Sequence, residues 1–394
     1  MAHTPESDGS AATASRPVGM VTLYDVARMA GVSTATVSRV VHGQDRVRET
    51  TRTRVQDVIE QLGYIPDNAA QSLSRRRKDV IGMVYVERER KEHDVENMGL
   101  GLLYYDELLR GVQARIRDDH HWSLLITCLY EDEGDDKDVS RLMAVAGKVD
   151  GLLIGEGIIS DELLARLSDR VPVVIIAGTP RKTDVVKADN HSGATALVSH
   201  LVETHGKRRL FHVDGPDDVP DARERRVALE QVLRAHPGTI LTGRYQGIFS
   251  VNSGEEAGNA LLERWSELRP DAVVCANDQM ALGLLRSLSR AGVSVPGDVA
   301  VTGFDDIYPG RINEPSITTV HQPMRLLGER ACDRLLDRLA RPGLRRRTEL
   351  LPVDLVLRES CGCPPGTDIR QQVTRVRVVR SATARPAPRA GQEG

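Results

Sequence analysis

The stretch from Ser33 to Arg39 places four hydroxyl side chains (Ser33, Thr34, Thr36, Ser38) and one guanidinium within seven residues. Short hydroxyls donate and accept hydrogen bonds at close range. A guanidinium offers two parallel donors to a phosphate or to the paired acceptors of a guanine edge. Three other groupings carry residue types that do chemistry, and each falls short. Cys361-Gly362-Cys363 supplies two of the four ligands a zinc site wants, but the sequence shows no partner pair and no metal spacing among its histidines, so no metal is assigned. Asp305 and Asp306 are paired acids only in sequence, since neighbours on a loop seldom face one another. Gly155-Glu156-Gly157 lacks the third glycine of a dinucleotide fingerprint. With no Gly-x-Ser-x-Gly elbow either, neither an enzyme nor a cofactor is expected.

The elements that must position the hydroxyl stretch are short helices. Leu23, Val26, Ala27 and Ala30 share one helical face behind Thr22, a capping residue type. Gly31 supplies a turn, and Ser33 caps a second helix whose inward face is Val37, Val40 and Val41. A third helix starts near Glu49, buries Val55, Val58, Ile59 and Leu62, and ends at Gly63. Two helices joined by a tight glycine turn, the second polar on its outer side, form the helix-turn-helix arrangement, whose recognition helix enters the major groove. A three-helix bundle with a solvated face fits the same pattern.

Charge separates this segment from the rest. The whole chain of 394 residues carries a formal net charge of −3, yet residues 21–78 hold ten Lys/Arg against six Asp/Glu, a surplus of about four. Aromatic residues make up 3%, so any stacking surface must be local. Residues 1–20 and 361–394 read as disordered tails by composition, and the first contains no apolar core of signal-peptide length. No stretch approaches the apolar length of a membrane span, so a cytoplasmic protein is expected.

From Val80 the pattern changes to short apolar runs (VIGMVYV, WSLLITCL, VDGLLIG, VPVVIIAG, RLFHVDG, DAVVCAN, VAVTGFDD) alternating with helical stretches. That alternation predicts an α/β fold with open parallel sheets, and about 280 residues of it predict two lobes. Ligands in such folds sit beyond the carboxyl ends of the strands.

The segments VTLYDVARMAGVSTATVSRVV, YIPDNAAQSL, ANDQMALG, GVSVPGDVAVTGFDD and EPSITTVHQP, in this order, resemble the lactose-repressor/galactose-repressor family of bacterial transcriptional regulators. The resemblance covers Val21 to Glu359. It implies an all-α helix-turn-helix domain over 21–66, a hinge over 67–79 and, over 80–360, an α/β two-lobed effector domain like the periplasmic sugar-binding proteins. Base contacts are implied for Thr34, Ala35 and Arg39, and supporting or phosphate contacts for Leu23, Tyr24, Ser33, Thr36, Ser38 and Arg46. Leu73 would wedge into the minor groove, with Ala70 packed against the partner's hinge. The implied partners are a pseudopalindromic double-stranded DNA operator, a second copy of the chain and a small effector, a sugar or sugar derivative. The function implied is a repressor controlled by that effector. The competing reading, a solute-binding protein without regulatory role, calls for a signal peptide and has no use for a helix-turn-helix.

For the cleft, the resemblance implies Tyr104, Tyr105, Asp221, Arg225, Phe249, Asn277, Asp305 and Gln322 as effector-binding residues. Aromatic faces would stack on a sugar ring, and the polar groups would bond its hydroxyls. Asp189 and Asn190 match a family pair with an equally structural reading. Two departures stand out. Ala177 occupies a position where many members place an aspartate, and the charged loop over 87–99 is longer than usual.

Overall fold

The computed structural model describes residues 21–41, 47–64, 77–87, 103–117, 122–130, 135–155, 159–179 and 183–373. The chain divides into two compact units, Met1–Lys78 and Asp79–Gly394.

In the first unit, α1 (Leu23–Ala30), α2 (Thr34–Val41) and α3 (Glu49–Leu62) enclose Val26, Ala27, Ala30, Val37, Val40, Val55, Val58 and Tyr64. Asp25 Oδ2 accepts from the Thr22 backbone N–H (3.0 Å) and hydroxyl (2.6 Å), setting a carboxylate at the positive end of α1. Gly31 closes α1 at φ 65°, and the Val32 N–H reaches back to the Ala27 carbonyl at 3.0 Å. This left-handed turn suits a residue without a Cβ, and it lets α2 begin almost at once. Ser33 Oγ then accepts from the Thr36 N–H at 3.2 Å, capping α2 as its sequence suggests.

The second unit holds two parallel sheets. The first contains β1 (Val80–Glu87), β2 (Ser123–Tyr130), β3 (Gly151–Gly155), β4 (Val173–Ile176), β5 (Asp184–Ala188) and β11 (Thr348–Leu351), in the order β11-β5-β4-β3-β1-β2. Helices α4 (Leu103–Arg117) and α13 (Met324–Ala340) supply Leu108, Val112, Leu327 and Leu335 to one of its cores. Helices α5 (Asp135–Ala146) and α6 (Asp161–Ser168) supply Leu142, Leu163 and Leu167 to another. The second sheet is β7-β6-β8-β9, from β6 (Arg209–Asp214), β7 (Ile240–Gln246), β8 (Ala272–Cys275) and β9 (Ala300–Thr302). Around it lie α7 (Asn190–Ser199), α8 (Pro220–Ala235), α9 (Val251–Glu263), α10 (Trp265–Leu268) and α11 (Asp278–Arg290), with α12 (Tyr308–Ile312) beyond β9. The chain passes from first sheet to second after β5, returns through α13 to β11, and leaves again for a small antiparallel sheet. That sheet pairs β10 (Thr319–His321), β12 (Asp354–Leu357) and β13 (Ile369–Gln372). No helix among the described residues is long and apolar enough to cross a membrane.

The structure corrects the sequence segmentation in two places. The stretch expected as a tail from 361 remains structured to 373, because β13 is an edge strand whose pairing with β12 uses its backbone. Its exposed Ile-Arg-Gln-Gln therefore carries no apolar signal. The sequence also hides β5, since Asp184 and Lys187 interrupt its apolar run. Both are buried, Asp184 by Arg334 (2.7 Å) and Arg338 (2.5 Å), and Lys187 by Glu224. Burial alone would raise the Asp184 pKa, but hydrogen bonds from Arg338, the Arg347 backbone and Arg334 hold it below the usual carboxylate range. Helix α13 is arginine-rich, and its buried face, with Leu327, Ala331 and Leu335, packs in the core of the first sheet.

Candidate functional site

On the first unit, Ala35 and Arg39 lie one turn apart on α2 and are exposed, with Thr34, Thr36 and Ser38 half-buried beside them. Ser33 Oγ and Thr36 Oγ1 are 2.9 Å apart, so these two hydroxyls bond each other as well as capping the helix. Tyr24 on α1 is 76% exposed, which is unusual for a ring that fits no interior, and Leu23 is half-buried. The face is thus a small-residue surface with one long cation and one free phenol ring. Its shape and donors suit a groove lined with phosphates and base edges. Arg46, Ala70 and Leu73 lie outside the described residues.

In the second unit, a buried polar cluster forms around Arg225 on α8. Its Nε donates to Asn190 Oδ1 (2.9 Å) and its Nη1 to the Ala276 carbonyl (2.6 Å). Asp221, one turn earlier on α8, lies 3.9 Å from Nη2, and Asp305 lies 3.7 Å from Nη1. The guanidinium carbon stands 3.7 Å from the Phe304 ring centroid and 6.0 Å from that of Phe249, a cation held against aromatic faces. Gln322 Nε2 donates to Asp305 Oδ1 at 2.9 Å. Burial pushes the Asp221 carboxyl up to about 6 and that of Asp305 up to about 7, against the opposing pull of Arg225. Burial, with Asp221 and then Asp305 nearby, also raises the Tyr104 phenol.

Three buried polar atoms of this cluster, Tyr104 Oη, Asp221 Oδ1 and Gln322 Oε1, lack a hydrogen-bond partner among the described residues. Buried polar atoms are nearly always paired, so three unmet ones on adjoining side chains point to a polar guest.

The remaining expected residues have more structural employment. Asn277 caps α11 through Oδ1 (Met280 N–H, 3.0 Å), while its Nδ2 donates to the Phe249 carbonyl (3.1 Å) and to Gln279 Oε1 (3.4 Å). The role expected of Asn277, bonding ligand hydroxyls, is thereby weakened, because its amide is already committed on both ends. What it does instead is hold Phe249, whose backbone sits at φ 65°. Gly215 leaves room for that ring, since a Cβ there would lie 2.4 Å from it. Tyr105 meets Tyr104 edge-on at 5.4 Å and packs on Tyr85 of β1 at 4.9 Å. Asp306 turns away from its neighbour, pairing with Arg358 (2.6 Å) and His321 (3.0 Å). The two acids therefore do not face one another. Asp189 caps α7 (Ser192 N–H, 3.1 Å).

Residues 22–67 match the family description "Bacterial regulatory proteins, lacI family", and residues 198–361 match "Periplasmic binding protein-like domain". The ribose operon repressor of Escherichia coli (strain K12) is 33% identical over 344 residues, covering 85% of this chain and 98% of that protein. The chain belongs to the lacI family. The HTH-type transcriptional repressor PurR of Photobacterium profundum is 31% identical, over 86% of the regulator and 98% of that repressor. Among solved structures, the lac repressor dimer bound to operator and the anti-inducer ONPF superposes with a TM-score of 0.73 at 28% identity, covering 86% and 99% of the two chains. The transcriptional regulator CelR–cellobiose complex gives 0.62 at 31% identity, over 88% and 100%. This lacI-family chain is a DNA-binding transcriptional regulator with a ligand-binding domain, and it is not an enzyme.

Several supporting residues of the regulator are not legible in the sequence. Phe304 lies inside the GVSVPGDVAVTGFDD motif, but nothing in the spacing says that Arg225 covers the ring. Asn190 stands out in the sequence without its bond to Arg225. Asp278 accepts from Thr319 Oγ1 (2.7 Å) and the Ile307 N–H (2.9 Å), pinning the loop that carries Asp305, and it reads from sequence as an ordinary helix-start acid. The fold also brings His200 and His205 against Cys361 and Cys363, the partner pair that the sequence does not reveal.

Proposed function

We propose that the regulator is an effector-controlled repressor acting in the cytoplasm as a homodimer. Residues 21–66 carry the DNA-binding domain, 67–79 the hinge, and the segment from 80 the effector domain. Helix α2 enters the major groove, where Arg39 bonds a guanine edge, Ala35 makes apolar contact and Thr34 completes the base-facing set. Leu23, Tyr24, Ser33, Thr36, Ser38 and Arg46 position the unit on phosphates. Leu73 of each hinge wedges into the minor groove at the operator's centre, and Ala70 packs against the partner's hinge. Support comes from the relatives: the lac repressor was captured as a dimer on operator, and CelR with cellobiose.

The effector is a sugar or sugar derivative held by Tyr104, Asp221, Arg225, Phe249, Asp305 and Gln322, with Tyr105 and Asn277 behind them. The observation that carries this reading is the set of unmet atoms, Tyr104 Oη, Asp221 Oδ1 and Gln322 Oε1, beside a guanidinium and an aromatic face. A polyol with one apolar side satisfies all of them, whereas an apolar ligand leaves them unpaired. Ala177 offers no hydroxyl partner, so this effector makes one fewer polar contact on that side than is common in the family. Ligand and DNA are coupled through the arrangement of the lobes, typically by about 1–3 kcal/mol.

The test is to select the preferred site from random DNA, then measure its binding with a panel of sugars and sugar phosphates. A symmetric site whose affinity shifts with one sugar is expected. A symmetric site indifferent to every sugar removes the effector class, and an asymmetric site removes the dimer.

A further inference from the structure

Outside the cleft, His200, His205, Cys361 and Cys363 form a cluster whose ligand atoms all lie within 4.8 Å of one another. The His200 and His205 Nε2 atoms are 3.0 Å apart. Cys361 Sγ is 3.7 Å from His200 Nε2, and Cys363 Sγ is 3.6 Å from both rings. A tetrahedral zinc ion with Zn–S of about 2.3 Å and Zn–N of about 2.0–2.1 Å requires S···N edges of about 3.6 Å and an N···N edge of about 3.3 Å. Three S···N edges of 3.6–3.7 Å and the N···N edge of 3.0 Å already come near those separations, and the remaining edges lie within 4.8 Å. The geometry points to a closed Cys2His2 site for a divalent transition metal, zinc above all, tying the C-terminal segment of the effector domain to the end of α7.

Local structure serves this convergence. In an α-helix, side chains five residues apart point about 140° from each other. Here α7 passes into a π-helical turn over His200–Thr204, and its wider winding brings His200 and His205 to one side. Such turns are rare and concentrate at functional sites. On the other wall, Gly362 sits at φ 105°, a conformation that L side chains rarely adopt, and a Cβ there would press to 3.3 Å from His205 Nδ1. The glycine therefore lets both sulphurs of the Cys-Gly-Cys turn face the rings. Cys361 is fully buried, with Thr318 Oγ1 3.0 Å from its sulphur, the kind of outer hydrogen bond that orients a metal-bound thiolate.

Without a cation the Cys361 thiol donates to the Arg358 carbonyl at 3.3 Å and the two rings share one proton, and metal binding replaces these contacts with four ligand bonds. Two thiolates and one divalent ion sum to zero charge, so the half-buried site needs no further counter-ion. Sulphur and imidazole in a tetrahedron select zinc over magnesium or calcium. Four protein ligands leave no open position, so the role is structural. Binding deprotonates the two thiols, forms two metal–sulphur and two metal–nitrogen bonds, and releases two protons to solvent. The ion also links the end of the helix whose first residue, Asn190, holds Arg225.

The experiment uses the full-length protein, purified reduced and without chelator. Metal content is measured by mass spectrometry, and the chelated apo-protein is titrated with Co(II) while its absorption is recorded. The expected result is one zinc per chain, and one Co(II) giving tetrahedral ligand-field bands with thiolate charge transfer. Cys363→Ser and His205→Gln weaken Co(II) binding more than about 100-fold, beyond the roughly 10–100-fold typical of losing an outer partner. Both sites are half-buried, so both variants are tolerated; apo-protein melting at the parental temperature verifies that. In the parent alone, metal raises the melting temperature. An octahedral spectrum without charge transfer, parental affinity in both variants, or a Cys361–Cys363 disulfide whose reduction restores no Co(II) binding overturns the site.

Discussion

Helix α2 presents its polar groups from seven consecutive residues, whereas the cluster around Arg225 draws on residues as far apart as Tyr104 and Gln322. On α2 Arg39 and Ala35 are exposed, and under the proposed function they meet separate targets. Around Arg225 the polar groups are buried together, several of them sharing that one guanidinium. Arg225 alone touches Asn190 and Ala276, faces Asp221 and Asp305, and covers Phe304. The difference teaches where additivity holds. Surface contacts to separate base pairs sum almost independently, while buried charges sharing partners do not.

The largest effect that sharpens this contrast is expected from Arg225→Ala. Removing it leaves two buried carboxyls facing a void, and breaking a buried pair typically costs about 3–5 kcal/mol. Calorimetry should show that loss, together with loss of the sugar response, while the isolated operator affinity is retained. An unchanged sugar response in the folded variant contradicts the cleft assignment. Arg39→Ala comes next, with about 1–3 kcal/mol of discrimination lost at one base pair and the melting temperature unchanged. Equal binding to all four bases at that position, compared with a single preference in the parent, is the outcome to score. A variant that keeps the parent's preference at that position sinks the base contact.

The third expectation concerns pH. Sugar hydroxyls donate to carboxylates, so binding favours the ionised forms of Asp221 and Asp305 and lowers their pKa. Affinity should therefore rise as pH passes through about 6 to about 7 and level off above. The gain is up to roughly tenfold for each unit by which the ligand lowers the apparent pKa of the pair. Ligand-free stability runs the other way, over the wider window from the unfolded carboxyl value of about 4 up to about 7. The native state holds protons that the unfolded chain has released, so this pair's contribution declines as pH rises toward 7. Titration calorimetry across this range checks both signs. The smallest effect is expected from Ser33→Ala, which removes the cap of α2 and costs about 1 kcal/mol, read by chemical denaturation.

Much of this was legible beforehand. The Gly31 turn, the Ser33 cap and the Val37/Val40 face are local, and their residues form the same structure wherever the segment is placed. The apolar runs of β1 to β4, β6, β8 and β9 were equally plain, because strands buried on both faces need no polar positions. Strand β5 was obscured because its charges are neutralised from outside the segment, Asp184 by arginines 150 and 154 positions away and Lys187 by Glu224, 37 positions on, and β13 because an edge strand can be polar throughout.

By itself the sequence determined the helix-turn-helix, the α/β class and the family, since periodicity, caps and motifs are properties of neighbours in the chain. The tertiary structure alone decided which groups meet: Phe304 beneath Arg225, Asn277 turned to hold Phe249, and Asp305 parted from Asp306. It also decided that two histidines on a π-turn converge on a Cys-Gly-Cys turn more than 150 residues later. The physical reason is the same throughout. Side-chain direction is set by local backbone, but a partner's arrival depends on how distant elements pack, and no spacing along the chain records that.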